Sequence, residues 1–167
     1  MNTSSTVSSS TPAAPHHVPF PVRVLRRMRP VITALLASPL HGLLSRDVLL
    51  MTYTGRKSGR PYTLPLSYVE QGGILYLCTR PEGSRWWRNL KGGGAVQLRW
   101  RGRSMSASAT VLDADSPEAL EGLRAFVTRN PGTGELLYHV AREGGAPREG
   151  DLEREVGDSV VVRLTPL

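Results

Sequence analysis

The feature that most constrains the fold is a pair of consecutive stretches in which apolar and polar residues alternate. Between Val96 and Arg101 the apolar residues are separated by Gln or Arg, and between Ser104 and Val111 they are separated by Ser or Thr. Because successive side chains of a β-strand point to opposite faces of its sheet, each stretch predicts a strand with one wetted face. Gly102 between them predicts a turn, so we expect the two strands to form a long hairpin.

Other segments extend this antiparallel pattern. Further strands are predicted at Val48–Thr54, Tyr62–Val69, Ile74–Thr79 and Ser159–Leu164, helices at Arg85–Lys91, from Pro117 to Asn130 and at Glu135–Val140, and a loop at Ala141–Gly157. Ser84 and Ser116 are the predicted N-caps of the first two helices. Pro65 indicates an edge position or a bulge, since proline has no N–H for a ladder bond. About six strands with helices inserted between them favour a mainly β (α+β) antiparallel barrel over a doubly wound sheet.

The first 45 residues differ in composition from the rest of the chain. Residues 1–21 are rich in Ser, Thr and Pro and are predicted to be a disordered leader. Residues 22–45 carry apolar side chains at helical spacing among four arginines, which predicts a basic amphipathic helix. This helix, over residues 22–44, either makes peripheral contact with an anionic membrane or packs its apolar stripe on the barrel of residues 46–167.

The charge is distributed unevenly along the chain. Its formal net charge is +7, and from Arg56 to Arg103 ten basic residues face only Glu70 and Glu82. A local positive field of this kind favours an anion bound at a defined site over a uniformly adhesive surface. The single cysteine, Cys78, excludes an internal disulfide and fits a reducing cytoplasm, so we expect a cytoplasmic protein, with membrane association through residues 22–44 left open.

The segment Thr54–Pro61, with the sequence TGRKSGRP, predicts an anion-binding turn. Two glycines allow the backbone conformations that a tight turn needs, and three cations, Arg56, Lys57 and Arg60, share about eight residues. Arginine grips a phosphate with two parallel N–H bonds, so a phosphorylated ligand suits this turn. The alternative is a solvated hairpin tip, because charged turns are common.

A second cluster is the short segment Ser84–Asn89, with the sequence SRWWRN. Neighbouring residues on a helix face directions about 100° apart, so only one of Trp86 and Trp87 is expected to enter a core. The exposed indole would stack on a planar ligand while Arg85 or Arg88 pairs with the anionic parts of that ligand. In the alternative, both indoles close one end of the barrel.

These segments resemble a known family. The run Leu49–Pro61, then Pro65-Leu66, then Trp86–Leu90 followed by a strand is similar to the deazaflavin-dependent nitroreductases. The resemblance covers roughly residues 48–167. It implies a six-stranded antiparallel split β-barrel related to pyridoxamine phosphate oxidases, with the deazaflavin coenzyme F420 as cofactor.

The resemblance also implies site residues. The basic turn would hold the phosphodiester or glutamate tail of the coenzyme, and the strands and tryptophans that follow would line its ribityl chain and ring. The implied cofactor-binding residues are Arg56, Lys57, Ser58, Arg60, Tyr62, Thr63, Pro65, Ser67, Cys78, Thr79, Arg80, Arg85, Trp86, Trp87, Arg88 and Asn89. The implied catalytic residue is Tyr138, which would close the substrate pocket opposite Trp86 or Trp87; no metal is implied.

The expected function is therefore hydride transfer from reduced F420 to a small electrophilic acceptor such as a quinone or a nitroaromatic. Within the same fold, the basic turn could instead hold the phosphate of FMN, or the protein could carry a coenzyme without turnover. A non-enzymatic alternative is a nucleic-acid module that uses Arg99, Arg101 and Arg103 beside Trp100 as a platform. These arginines also fit the solvated side of an ordinary amphipathic strand, so nucleic acid is the less favoured partner. Split barrels of this size commonly form homodimers, so a homodimer is expected.

Overall fold

The computed structural model describes residues 47–167. The predicted leader at 1–21 and the predicted amphipathic helix at 22–45 lie outside the described residues. The described strands are β1 (Val48–Thr54), β2 (Pro61–Ser67), β3 (Val69–Gln71), β4 (Ile74–Thr79), β5 (Gly94–Trp100), β6 (Arg103–Val111), β7 (Arg142–Glu143), β8 (Ala146–Pro147) and β9 (Val160–Pro166). The helices are α1 (Pro117–Arg129), α2 (Pro131–Tyr138) and α3 (Glu149–Gly157), with a short 3₁₀ helix at Trp86–Leu90.

Seven of these strands form one antiparallel sheet with the order β2-β1-β5-β6-β9-β4-β3. The sheet curls into a half-barrel, so that β2 at one edge approaches β4 near the other. This architecture confirms the predicted α+β, mainly antiparallel fold class. The predicted strand Tyr62–Val69 is two strands, because the ladder with β1 ends at Ser67 and Val69 pairs with Tyr76 of β4 instead.

The hairpins follow the glycine pattern of the sequence. The predicted hairpin from β5 to β6 is confirmed, with Trp100 opposite Arg103. Its two-residue turn has Arg101 at φ 48° and Gly102 at φ 77°. Positive φ at both central residues matches the right-handed twist of the strands, which is why Gly is favoured there.

Two apolar clusters lie on opposite faces of the sheet. Strand β4 separates them: Leu75 and Leu77 belong to the first cluster, inside the half-barrel, whereas Tyr76 and Cys78 face the second, beneath the helices. The first cluster also contains Leu49, Met51, Leu98, Trp86 and Trp87. The second contains Leu123, Phe126, Tyr138, Leu152 and Val156. The helices therefore cover only one face of β4 and its neighbours.

The helix ends were predicted in part. Ser116 caps α1 as expected, since its Oγ accepts a hydrogen bond from the N–H of Ala119 at 3.2 Å. The predicted Ser84 cap is wrong, because Arg85 occupies the cap position of the 3₁₀ helix without a side-chain bond. The predicted loop Ala141–Gly157 is also wrong. It contains the β7–β8 hairpin and α3, which buries Leu152 against the second cluster.

Candidate functional site

The basic turn is a closed loop between β1 and β2. The N–H of Gly55 donates to the carbonyl of Arg60 at 2.8 Å, and the N–H of Gly59 donates to the carbonyl of Gly55 at 2.8 Å. A Cβ at position 55 would lie 2.6 Å from both Ser58 Oγ and Tyr62 Cε2, so only glycine fits there. The turn is thereby held in one shape with Lys57 and Arg60 exposed.

Tyr62 supports this turn from the start of β2. Its hydroxyl lies 3.2 Å from Ser58 Oγ, and the N–H of Arg60 donates to the same Oγ at 3.3 Å. The Tyr62 ring stacks on Tyr53 with the ring centres 5.7 Å apart, yet 43% of the residue remains exposed. Tyr62 therefore both stabilises the turn and presents an aromatic surface beside it.

Asn89 joins the turn to the tryptophan segment. Its Oδ1 accepts from the N–H of Arg56 at 3.0 Å, and its Nδ2 donates to the carbonyl of Trp86 at 3.0 Å. Arg56 adds a second link, because its Nη1 donates to the carbonyl of Lys91 at 3.1 Å. The structure thus brings together the two segments, some 30 residues apart in sequence, that carry the family resemblance.

Neither tryptophan is exposed, so the prediction of a free indole that stacks on a ligand is wrong. Trp86 is 6% and Trp87 is 8% exposed, and both belong to the first cluster. The indole N–H of Trp87 donates to the carbonyl of Ser84 at 3.0 Å. Lys91 Nζ and the Arg88 guanidinium lie 5.1 and 5.5 Å from the centre of the Trp87 ring and cover it. The alternative in which both indoles close one end of the barrel agrees with this burial.

Cations without an acidic partner are concentrated at this place. Elsewhere in residues 47–167, seven arginines form ion pairs with carboxylates: Arg80, Arg101, Arg124, Arg129, Arg148, Arg154 and Arg163. In the same described range, none of the six cations of the basic turn and of the segment Arg85–Lys91 forms an ion pair. Arg56 is bonded to the carbonyl of Lys91. The other five are here called the cation cluster: Lys57, Arg60, Arg85, Arg88 and Lys91. Unneutralised charge held on two linked segments is suited to an anionic ligand.

Lys91 was missed by the sequence reasoning. It follows the 3₁₀ helix directly and lies four residues after Trp87, the spacing at which helical neighbours meet. Its carbonyl binds Arg56 and its ammonium lies over Trp87. The spacing of this lysine from the tryptophan was therefore a usable signal.

The half-barrel has an opening, here called the split, between two strand edges that no strand of residues 47–167 pairs with. One is the outer edge of β2, which pairs only with β1. The other is the part of β4 from Leu77 to Thr79, because β3 pairs only with Ile74–Tyr76. The edge position predicted from Pro65 is confirmed. Backbone N–H and C=O groups at such edges are available to hydrogen-bond a ligand.

The β2 residues named from the resemblance divide between two faces. Thr63, Pro65 and Ser67 lie on the face away from the first cluster, and Thr63 Oγ1 is 2.7 Å from Thr52 Oγ1 of β1. Leu64 belongs to the first cluster, and Tyr62, on the same face of the strand, stacks on Tyr53 of that cluster. The alternation of β2 therefore puts three of the four predicted residues on one polar face beside the split.

On β4 the side chains of the three residues implied to contact the coenzyme do not share one face, and their coenzyme contact stays a prediction. Thr79 shares the face of Leu75 and Leu77, but Cys78 lies on the helix face. The Cys78 thiol points to the carbonyl of Gly122 at 4.0 Å, and burial raises the pKa of this thiol well above its usual range. Cys78 is thus a packing residue under α1, and only its backbone reaches the split.

Arg80 is also committed to the helices. Its Nε donates to the carbonyl of Leu137 at 2.6 Å, and its Nη2 forms an ion pair with the buried carboxylate of Glu155. Its guanidinium carbon lies 5.8 Å from the centre of the Tyr138 ring. Arg80 therefore links the end of β4 to α2 and α3 and does not belong to the cation cluster.

Tyr138 is not brought to the tryptophans, so the predicted pocket between them is not formed. Tyr138 is 3% exposed and lies edge-on to Phe126 with the ring centres 5.9 Å apart, in the second cluster. Trp86 and Trp87 lie in the first cluster, across the sheet. Burial raises the pKa of the Tyr138 phenol, so this group stays protonated at neutral pH. The catalytic role implied for Tyr138 stays a prediction.

Other kinds of site find little support in residues 47–167. No group of three or more His, Cys, Asp or Glu side chains is arranged to hold a metal there, and no helix of that range has the length and hydropathy to cross a bilayer. The alternative of a nucleic-acid platform is disfavoured, because Trp100 packs edge-on against the buried Tyr68 and Arg101 pairs with Glu70.

The fold and this site define a class: a split-barrel protein with a basic turn at the opening of its half-barrel. The model of the F420H(2)-dependent quinone reductase family matches residues 32–134, and the chain belongs to this family. It is accordingly an F420-dependent reductase, with coenzyme F420 as its cofactor. This finding favours F420 over the FMN alternative.

Solved structures with similar folds include an F420-H2 dependent reductase (FDR-A), which is 21% identical with a TM-score of 0.48 over 70% of this chain and 94% of that one. The heme storage protein HutZ from Vibrio cholerae is 16% identical with a TM-score of 0.49, over 83% of this chain and 89% of HutZ. A protein solved as a domain-swapped dimer is 21% identical with a TM-score of 0.51, over 86% and 99% of the two chains. The last of these likenesses shows a shared fold.

Proposed function

We propose that this F420-dependent reductase passes a hydride to a quinone, held beside the split of the half-barrel. The family's description names a quinone as acceptor. A nitroaromatic, the other acceptor expected from the sequence, has no such support.

The observation that carries the coenzyme site is the cation cluster. Its five side chains have no carboxylate partner in residues 47–167, and no Asp or Glu occurs in either segment that supplies them. Coenzyme F420 has a phosphodiester and an acidic glutamate tail, which are the groups that such cations bind. Lys57 and Arg60 would hold these anions from the turn, and Arg85, Arg88 and Lys91 from the tryptophan segment. The residues present therefore fit this coenzyme.

The split offers the polar contacts for the rest of the coenzyme. Thr63 and Ser67 carry hydroxyls on one face of β2, which suits a polyol such as the ribityl chain. The unpaired backbone of Leu77–Thr79 offers N–H and C=O groups to the polar edge of a flat ring. Trp86 and Trp87 would not touch the coenzyme; their burial in the first cluster anchors the segment that carries Arg85 and Arg88.

The main task of the protein in this reaction is to position the coenzyme and the quinone. The bound reduced deazaflavin supplies a hydride, and reduction of a quinone to a hydroquinone then requires one proton as well. Neither the turn nor the tryptophan segment contains a carboxylic acid, so we assign this proton to solvent that reaches the split. Alignment of the two reactants can lower the barrier by roughly 7 to 11 kcal/mol, and the rigid turn and its Asn89 link provide such alignment.

The coenzyme assignment is tested by Lys57→Ala and Arg60→Ala. Each substitution removes a charged hydrogen-bond donor, so each should raise the Kd of oxidised F420 about tenfold, or ~1.4 kcal/mol. Neither should change kcat much at saturating coenzyme. Titration monitored by tryptophan fluorescence measures the Kd, and Arg103→Ala, an exposed arginine at the start of β6 without an ion pair in residues 47–167, is the matched control. Equal Kd values in all three variants would remove the cation cluster from the coenzyme site.

The acceptor is tested separately by anaerobic oxidation of reduced F420 with menadione and with a nitroaromatic of similar size. We expect a higher kcat/KM for the quinone. A higher value for the nitroaromatic would overturn the quinone assignment while leaving the coenzyme site intact.

We also propose that the protein works as a homodimer. Residues 47–167 leave the outer edge of β2 open, and a second chain would cover the part of this strand that the coenzyme does not contact. A similar fold has been solved as a domain-swapped dimer. Sedimentation at micromolar concentration tests this, and a monomer would contradict it. A cytoplasmic location stays a prediction.

A further inference from the structure

The basic turn contains a serine with cations on both sides. Ser58 follows Arg56 and Lys57 and lies two residues before Arg60. No other Ser or Thr of the chain has a Lys or Arg within two positions on each side. Ser58 is exposed, so its hydroxyl lies at the surface between two members of the cation cluster. This arrangement presents an accessible hydroxyl in the surroundings that a phosphate group prefers.

The contacts of the Ser58 hydroxyl also suit a phosphate bonded to it. The N–H of Arg60 donates to Ser58 Oγ at 3.3 Å, and the hydroxyl of Tyr62 lies 3.2 Å from the same atom. Phosphoserine carries a charge of about −1.5 to −2 at pH 7 and three acceptor oxygens, which form charge-assisted hydrogen bonds with nearby cations. Lys57 and Arg60 are the cations beside this position, so a phosphate here would have partners already in place.

We propose that Ser58 is a phosphorylation site and that the phosphate on it excludes coenzyme F420. This inference rests on the proposed function and adds a regulatory modification to the coenzyme site. The partner is a serine kinase that selects basic residues around its acceptor, with a nucleoside triphosphate as phosphoryl donor. Ser58 Oγ bonds to the γ-phosphorus, the bond from this phosphorus to the bridging oxygen breaks, and the nucleoside diphosphate leaves. The hydroxyl proton passes to the catalytic base of the kinase.

The phosphate and the coenzyme would compete for the same cations. A dianion on Ser58 is balanced by the charges of Lys57 and Arg60, so the phosphodiester of the coenzyme loses two partners and meets a like charge. The turn is closed by the hydrogen bond from the N–H of Gly55 to the carbonyl of Arg60, which keeps residue 58 next to these cations. Bound coenzyme would in turn cover Ser58 and protect it from the kinase.

The exclusion is tested with phosphoserine placed at position 58 during translation. The Kd of oxidised F420, measured by tryptophan fluorescence, should rise at least about a hundredfold, the product of the two tenfold losses expected for Lys57→Ala and Arg60→Ala. Phosphoserine at position 104 is the matched control, because Ser104 is exposed and follows the exposed Arg103. It should leave the Kd unchanged. Equal Kd values for the protein phosphorylated at Ser58 and the unmodified protein would overturn the inference.

Ser58→Asn separates the effect of charge from that of size. Asparagine enlarges the side chain without adding charge, so it should raise the Kd of F420 far less than phosphoserine does. An equal rise would show that any larger side chain blocks the site, and would overturn exclusion by charge.

The hold of the turn on the phosphate can be measured without coenzyme. The second pKa of free phosphoserine is about 6, and nearby cations lower it because they stabilise the dianion. Titration followed by phosphorus NMR should therefore give a lower pKa for phosphoserine at position 58 than at position 104. Equal pKa values would show that the cations of the turn do not bind the phosphate, and would contradict the inference.

The modification itself is tested with ATP and protein kinase C, a serine kinase that selects basic residues on both sides of its acceptor. Mass spectrometry should find phosphate on Ser58 of the coenzyme-free protein and much less after saturation with F420. Ser58→Ala should carry none in this turn. No phosphate on Ser58, or equal labelling with and without coenzyme, would overturn the inference.

Failure of this inference is distinguishable from failure of the proposed function. If Lys57→Ala and Arg60→Ala weaken F420 binding but phosphoserine at position 58 does not, only the role of the modification is lost. If the unmodified wild-type protein does not bind F420, the proposed function itself fails.

Discussion

Side-chain direction on β4 decided which predicted residues reach the split. Alternation alone places Cys78 and Arg80 on one face and Thr79 on the other. Because both faces of this strand are apolar, with Leu77 on one and Tyr76 on the other, the local sequence does not indicate which face the helices cover. The resemblance therefore named three consecutive residues, but two of their side chains point to the helices: Cys78 packs under α1, and Arg80 bonds Leu137 of α2 and Glu155 of α3.

The buried Cys78 thiol should make stability fall at alkaline pH. Its pKa is higher in the folded than in the unfolded state, so its contribution is complete below the unfolded pKa of about 8.5 and is lost as the pH rises from there toward the folded pKa. The slope for one such group is at most ~1.4 kcal/mol per pH unit. Urea unfolding of Cys78→Ala between about pH 8 and 9.5 should show a flatter dependence than wild type.

The quantity to compare is the slope of the unfolding free energy against pH. The unfolding free energy itself also falls in Cys78→Ala, because the substitution removes packing. The range stops below the ordinary pKa of tyrosine, about 10, since burial also raises the pKa of Tyr76 and Tyr138. Identical slopes for the two proteins would contradict the burial of the thiol.

At the scale of elements, two segments departed from their sequence patterns for physical reasons. The tryptophan segment was predicted as a short helix with one indole outside, but it is a five-residue 3₁₀ helix in which both indoles are buried. Lys91 and Arg88 cover the second indole. In α3 the apolar signal is only Leu152 and Val156, four residues apart, within a charged and glycine-rich stretch. That spacing indicates a helix, but two apolar residues are a weaker signal than the charged and glycine-rich composition, which indicates a loop.

Two Gly→Ala substitutions, one where α1 packs on the sheet and one on an open side of α3, should change the stability of the fold in opposite directions. A Cβ at Gly122 would lie 2.8 Å from Tyr76 Cδ1 and 3.0 Å from Val161 Cγ1, so Gly122→Ala should destabilise the fold by about 1 to 2 kcal/mol. Gly150 of α3 has no atom within 4 Å of such a Cβ, so Gly150→Ala should stabilise by about 0.5 kcal/mol. Chemical denaturation of both variants measures these differences. A neutral Gly122→Ala would show that α1 packs less closely than described.

At the scale of the whole molecule, the proposed coenzyme site depends on an incomplete barrel. Seven strands curl until β2 approaches β4, but β3 is too short to close the gap and the edge at Leu77–Thr79 stays unpaired. The turn that carries Lys57 and Arg60 leads into the start of β2, whose outer edge borders this gap. A basic turn and a line of unpaired backbone groups are therefore placed together by the topology.

Hydrogen exchange should detect the split and its ligand. Amides on the unpaired edges of β2 and of Leu77–Thr79 should exchange faster than those of β1 and β5, which have strands on both sides. Adding oxidised F420 should slow exchange at both unpaired edges and in the segment Arg85–Lys91. Protection that appears only beneath the helices, around Phe126, would place the coenzyme elsewhere and contradict the split as its site.

The sequence by itself determined the antiparallel hairpins, the edge position of β2, the cap of α1 and the basic turn, because each depends on the conformational preferences of neighbouring residues. Only the tertiary structure decided that Asn89 joins the turn to the tryptophans, that both indoles are buried and that Arg80 and Tyr138 belong to the helices. The physical reason is that these contacts connect residues far apart in the chain, and their partners depend on how the sheet curls and which of its faces the helices cover.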